Sequence, residues 1–187
     1  MADDRLHFTD SDEANALLAR EPLALVIGFV LDQQVPVQKA FSGPLELQRR
    51  LGGLDAGRIA AMDPAELEQA FREKPALHRF PGSMAQRTQE LCRTLVEDYD
   101  GDAGRVWGEA RDGADLVARI GALPGFGDMK TRSLTAVLAK RLGVDLPGLA
   151  ELLPERACLG DVDSQEALAS YQAGKRAAKA AARAQRA

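Results

Sequence analysis

Four short stretches carry residue types that can do chemistry. The first is Leu123-Pro124-Gly125-Phe126-Gly127, followed by Lys130. Pro124 lacks an amide proton and cannot continue a helix. Gly125 and Gly127 can take positive φ or let another backbone come close. Such a turn, opening a helix, presents bare amides and a positive helix end, a concavity suited to a phosphate oxygen. A plain glycine turn between two helices, with no ligand, has the same spacing. The second stretch is Gln33-Gln34, directly before Val35-Pro36. Two long amides beside a helix break either sit in water or reach base edges, because an amide both donates and accepts. The third is His78-Arg79-Phe80-Pro81-Gly82. Phe80 either anchors its loop in the core or acts as an apolar wedge that unstacks a duplex. Arg79 is placed for a phosphate, and His78, without a partner at metal-ligand spacing, reads as a loop histidine. The fourth is a set of late carboxylates, Asp145, Asp161 and Asp163.

The elements that position these groups read as helices. Leu116, Ile120 and Leu123 repeat at helical spacing before the glycine turn, and Leu134, Val137, Leu138 and Leu142 after it. Upstream, Thr9 to Glu13 offers caps for a first helix, and Pro22 opens a second whose apolar residues run almost all round it. The chain then continues as helix from Pro36 to Leu51, with an interruption expected at Gly43-Pro44 and a stop at Gly52-Gly53. Asp63-Pro64-Ala65-Glu66 starts another helix, and Ser83 is expected to cap the next. Trp107 reads as a core residue. Asp163-Ser164-Gln165-Glu166 reads as the capping box of the last helix, with Asp163 at the cap. Scarce aromatics and plentiful Ala and Leu favour an all-α fold.

With 45% apolar residues in 187, the chain is long enough for a real core. The net charge of −4 does not advertise a nucleic-acid binder, but the charge is segregated: the last 17 residues carry +5 and the other 170 carry −9. Residues 171–187 therefore read as a basic, Ala-rich tail, frayed or bound to a nucleic-acid backbone. Cys92 and Cys158 cannot make a four-cysteine metal site and read as buried, reduced thiols. The N-terminus is acidic with no secretory pattern, and the longest apolar run, Leu23 to Leu31, is half a membrane span. These features predict a soluble cytoplasmic protein that does not associate with a membrane.

The string Leu-Pro-Gly-Phe-Gly, with its preceding apolar stripe and following lysine, resembles the helix-hairpin-helix of the DNA glycosylase superfamily that includes endonuclease III and the alkyladenine glycosylases. Leu31-Asp32-Gln33-Gln34-Val35-Pro36 and His78 to Gly82 extend the likeness to the small bacterial members of that superfamily. The resemblance spans about Leu17 to Leu142. It implies a two-lobed helical domain over 1–170, with lobes of about 22–122 and 1–21 plus 123–170. It also implies hairpin residues Pro124, Gly125, Phe126, Gly127 and Lys130 on a DNA backbone, and Gln33 and Gln34 near the base stack. Double-stranded DNA is the implied partner of a monomer. No cofactor is expected: the iron–sulfur loop of some relatives is absent, and at most a monovalent cation would sit at the hairpin. The superfamily's carboxylate lies roughly twenty residues beyond the hairpin, which points to Asp145, with Asp161 and Asp163 as later candidates. A fixed carboxylate there stabilises the positive charge that develops on the sugar as the glycosidic bond breaks. Members that also cleave the strand carry Lys two residues after the second hairpin glycine; here that residue is Met129, and Lys130 is one step round the helix. The resemblance thus implies a monofunctional glycosylase acting on a damaged or mismatched base. A non-catalytic DNA-binding module and a helical protein-interaction domain are the competing readings.

Overall fold

The computed structural model describes residues 3–184. They form ten α-helices and two 3-10 turns, and no strand occurs among the described residues. The helices are α1 (Asp12–Arg20), α2 (Pro22–Leu31), α3 (Val37–Leu51), α4 (Ala56–Ala61), α5 (Pro64–Arg72), α6 (Pro81–Tyr99), α7 (Arg105–Gly108), α8 (Gly113–Gly121), α9 (Asp128–Lys140) and α10 (Gln165–Ala184). The 3-10 turns are Ala150–Leu152 and Leu159–Asp161.

The central element is α2. Leu23 to Leu31 are all buried, as an all-round apolar helix must be. It lies unusually close to α3, because each helix gives the other a glycine. A Cβ on Gly28 would stand 2.6 Å from the Phe41 ring, and one on Gly43 would stand 2.5 Å from Leu31. This packing explains one departure from expectation: α3 runs unbroken through Pro44. An internal proline costs about 3 kcal/mol or more. Here it is offset by burial of Phe41, Leu45 and Leu47 on either side.

Several boundaries follow from local chemistry. Ser11 accepts the Ala14 amide and starts α1, and Asp63 accepts the amides of Ala65 and Glu66 and starts α5. Gly52, at φ +72°, ends α3. Two caps differ from expectation. Ser83 lies inside α6, which begins at Pro81 with Phe80 as its flanking residue; the proline's fixed φ sets the first turn earlier. The cap of α10 is Ser164, whose Oγ accepts the Ala167 amide at 3.1 Å, so Asp163 stands one place outside the helix.

The main core runs from Leu6 to Leu168, with Trp107 packed half-buried at its edge, and a smaller cluster of Ala14, Leu17, Ala24 and Leu45 joins α1 to α2 and α3. Helix α1 packs on α2 and α3; α4 and α5 lie on α6, while α7 packs on α8 and α8 on α9. The second 3-10 turn lies flat on α9: a Cβ on Gly160 would stand 2.7 Å from the Ala136 carbonyl. Helix α10 spans the expected boundary at 170–171 without a break. The hairpin is set against α2 by a chain of rings. Phe8 meets Phe41 at 4.9 Å, Phe41 meets Phe29 at 5.2 Å, and Phe29 meets Phe126 at 6.2 Å.

Candidate nucleic-acid interface

Pro124 and Gly125 occupy the two central places of a tight turn closed by the Phe126 amide on the Leu123 carbonyl at 3.1 Å. Gly125 has φ +83°, the left-handed conformation that a type II turn demands at that place. The amides of Gly125, Gly127, Asp128, Met129 and Lys130 donate to no acceptor among the described residues, and Gly127 offers no side chain to cap α9. Gly125, Gly127, Asp128 and Met129 are exposed, Met129 by 81%. The turn is thus an open row of donors at a helix N-terminus. Phe126 faces the other way: its ring is buried against Phe29 and its amide closes the turn. As a contact residue it offers a partner neither ring nor N–H; its role is to anchor the hairpin.

The hairpin helix is joined to the end of α2 by Lys130, whose Nζ donates to the Val30 carbonyl at 3.2 Å. It reaches inward across the protein rather than out to solvent. Helix α2 ends in an inverse γ-turn centred on Asp32 (φ −73°, ψ 68°), with the Gln33 amide on the Leu31 carbonyl at 2.7 Å. Gln34 then takes φ +56°, left-handed for a side-chain-bearing residue, and is exposed. This tight double bend aims Gln33 and Gln34 differently. Gln33 Oε1 accepts from Arg87 of α6 at 2.6 Å, whereas Gln34 makes no side-chain hydrogen bond among the described residues.

The loop before α6 is tied to the same bend by His78. Its Nε2 lies 2.9 Å from the Gln33 carbonyl, and its Nδ1 accepts the Phe80 amide at 3.0 Å. A carbonyl only accepts and an amide only donates, so the ring is neutral with the proton on Nε2. Burial correspondingly holds the His78 pKa below its ordinary value. The expected loop histidine is therefore a buried tie. Phe80 is 42% exposed and not a core anchor, with the Arg79 guanidinium 4.9 Å from its ring centre. Three strings separated by dozens of residues thus meet along one edge: the hairpin, the end of α2, and the loop before α6.

Beside Lys130 stands a carboxylate to which the sequence analysis gave no role, Asp32. Burial pushes the Asp32 carboxyl up, opposed by the nearby Lys175 and Lys130 ammonium groups. Burial pushes Lys130 down to about 8, with Asp32 opposing and Arg87 assisting. Tyr171 of α10 is pushed up to about 12, first by burial and then by the charge of Asp32. One signal in the sequence pointed here: Asp32 is a lone carboxylate directly after nine apolar or glycine residues. Nothing in the sequence pointed to Arg87, while Tyr171 and Lys175 lie in the stretch read as a basic tail.

Comparison with protein families matches residues 27–185 to the HhH-GPD superfamily, described as base excision DNA repair proteins. The chain belongs to this superfamily. No curated protein and no solved structure matches it. As an HhH-GPD protein it is all-helical, acts on DNA and carries the hairpin for which the superfamily is named. No single helix among the described residues is long and apolar enough to cross a membrane.

Two of the three late aspartates of this HhH-GPD protein, Asp145 and Asp161, lie toward the far end of α9 from Lys130. Asp145 is exposed beyond the far end of α9, whose 13 residues separate it from the hairpin by about 20 Å at 1.5 Å per residue. Its segment is held there by the Gly113 amide on the Pro147 carbonyl at 2.9 Å, at the far end of α8. Asp161 is bound to Lys140 and accepts the Cys158 amide at 3.0 Å, so it serves the local turn. Asp163 is exposed just before α10.

Proposed function

We propose that this protein is a DNA N-glycosylase that hydrolyses the bond between deoxyribose and a damaged or mismatched base turned out of a duplex, ending at base release. The observation that carries the reading is the edge itself, where open hairpin amides, the half-buried Asp32 and Lys130, and the exposed Gln34 and Phe80 follow one another. The hairpin amides hold a backbone phosphate. Phe80 enters the stack and Gln34 takes up the space or the orphaned base edge left behind, which lowers the cost of extrusion. The strained backbone of Gln34, in a place where glycine would be comfortable, fits a side chain kept for contact.

Sugar cation development then needs a fixed carboxylate close to the hairpin. Among the carboxylates placed by the fold, Asp32 suits that role better than Asp145, because it shares its surroundings with Lys130 of the hairpin helix. The Lys175 and Lys130 ammonium groups oppose the burial that raises the Asp32 carboxyl, and Lys130 is held in place on the Val30 carbonyl. A panel of duplexes with single lesions, treated with alkali after incubation, tests the proposal. Asp32→Asn should lower base release by about 10²-fold or more, as expected for loss of a transition-state charge, and Asp145→Asn should not change it. Excision lost only in Asp145→Asn would overturn the assignment. No excision from any lesion, with tight salt-dependent binding, would make this a non-catalytic module.

One observation favours a second reading. An amine lowered to about 8 beside a carboxylate can attack the sugar as a nucleophile. Borohydride trapping of a protein–DNA adduct, absent in Lys130→Arg, would establish strand-cleaving chemistry in place of simple hydrolysis.

A further inference from the structure

The outer part of α10 is a helix without a core. From 173 to 184 every residue is exposed, and the charged residues are Lys175, Arg176, Lys179 and Arg183, with no acid. Leu168, Gln172, Lys175, Lys179 and Arg183 follow one another at steps of four, three, four and four, so they form a single stripe along the helix, flanked by Arg176. At its inner end this stripe grips the protein: Leu168 is buried, and the Gln172 and Gln38 amides bond to each other in both directions. Past that point the same face leaves the globule and becomes wholly basic. It leaves beside Val35 and Pro36, which line one groove with Gln172, Lys175 and Arg176, directly after the exposed Gln34. Lys175 to Arg183 are eight helical steps apart, about 12 Å of helix.

We infer that the outer half of α10 is an arm that binds the phosphate backbone of the duplex flanking the site. The inference rests on the reading of the edge as a DNA site. Its independent support is direction and charge. The basic face overhangs the side on which Gln34 lies, and it faces away from a protein whose first 170 residues carry −9. Cations separated by alanines on one helical face match a row of phosphates and offer nothing that reads bases, so the arm adds affinity without sequence preference.

The test is salt-dependent binding of a labelled duplex two helical turns long to the full chain, the Lys179→Ala/Arg183→Ala variant and Gly127→Asp at the hairpin. Alanine is the best helix former, so the arm variant keeps its helix. The arm variant should lower the slope of log K against log salt by about 1.8, which weakens binding at 0.1 M salt by about ten- to sixty-fold. Its single-turnover base release at saturating protein should be unchanged. If Gly127→Asp weakens binding while the arm variant keeps the parent slope, the arm is refuted and the site stands. If the parent chain shows no salt-dependent duplex binding, both fall. If the arm variant loses binding to anionic vesicles and keeps its duplex slope, the face belongs to a lipid surface and the inference is overturned.

Discussion

The Gly127→Asp substitution separates stability from function at one position. Gly127 is the flanking residue of α9 and has ordinary extended backbone, φ −86° and ψ 178°. A Cβ there would meet nothing within 4 Å. An aspartate therefore fits without strain, and its carboxylate can accept the free amides of Met129 and Lys130. As an N-cap it should stabilise the protein by a few tenths of a kcal/mol over glycine, or about 1 °C in Tm for a chain of this size. The same carboxylate occupies the place of the phosphate. Two like charges about 4 Å apart repel by about 1 kcal/mol in water and about 4 kcal/mol near a protein surface. Charge-assisted hydrogen bonds to the amides, about 1.5–3 kcal/mol each, are lost as well. A net loss of about 3 kcal/mol is expected, roughly 150-fold in Kd for a duplex. Gly127→Asn has nearly the same shape and capping ability without the charge, so the Asp–Asn difference isolates the electrostatic part and should shrink as salt rises. Anisotropy titrations and thermal melts on the three proteins decide the matter. A Gly127→Asp variant that binds duplex like the parent would show that these amides hold no phosphate, and the assignment of the edge would fail.

Other consequences are more direct. Phe80→Ala should cost less than about 1 kcal/mol in stability, because the ring is 42% exposed, yet slow single-turnover base release at least about tenfold; equal rates would remove the wedge. The neutral His78 tie makes stability depend on pH. Its folded pKa is lowered, so the unfolded chain takes up the proton first. The contribution is full above the unfolded value near 6.5 and declines as pH falls below it. Urea midpoints at pH 7.5 and pH 5 should therefore differ more in the parent than in His78→Gln, and equal differences would refute the locked tautomer. Gly160→Ala should destabilise by about 1–3 kcal/mol, since its Cβ would press on the Ala136 carbonyl at 2.7 Å; an unchanged Tm would show that the turn can lift from α9.

Much of this protein was legible one residue at a time. Caps at Ser11 and Asp63, the stop at Gly52, the all-apolar α2 and the turn at Pro124-Gly125 all follow from interactions spanning a few residues, and periodicity alone placed the helical pair around that turn. The family resemblance likewise rested on short strings, and it holds. What local sequence could not report was which way a side chain faces once helices pack. Phe126 and Phe80 are both aromatic residues beside a proline–glycine pair; one is buried on Phe29 and the other stands in solvent, and only the placement of α2 and α6 decides between them. The continuity of α3 through Pro44 depends on Gly28 and Gly43 meeting side chains of the opposite helix. Asp32, Lys130 and Tyr171 lie up to 139 positions apart, and their altered proton affinities arise first from desolvation that exists only after the chain has closed around them.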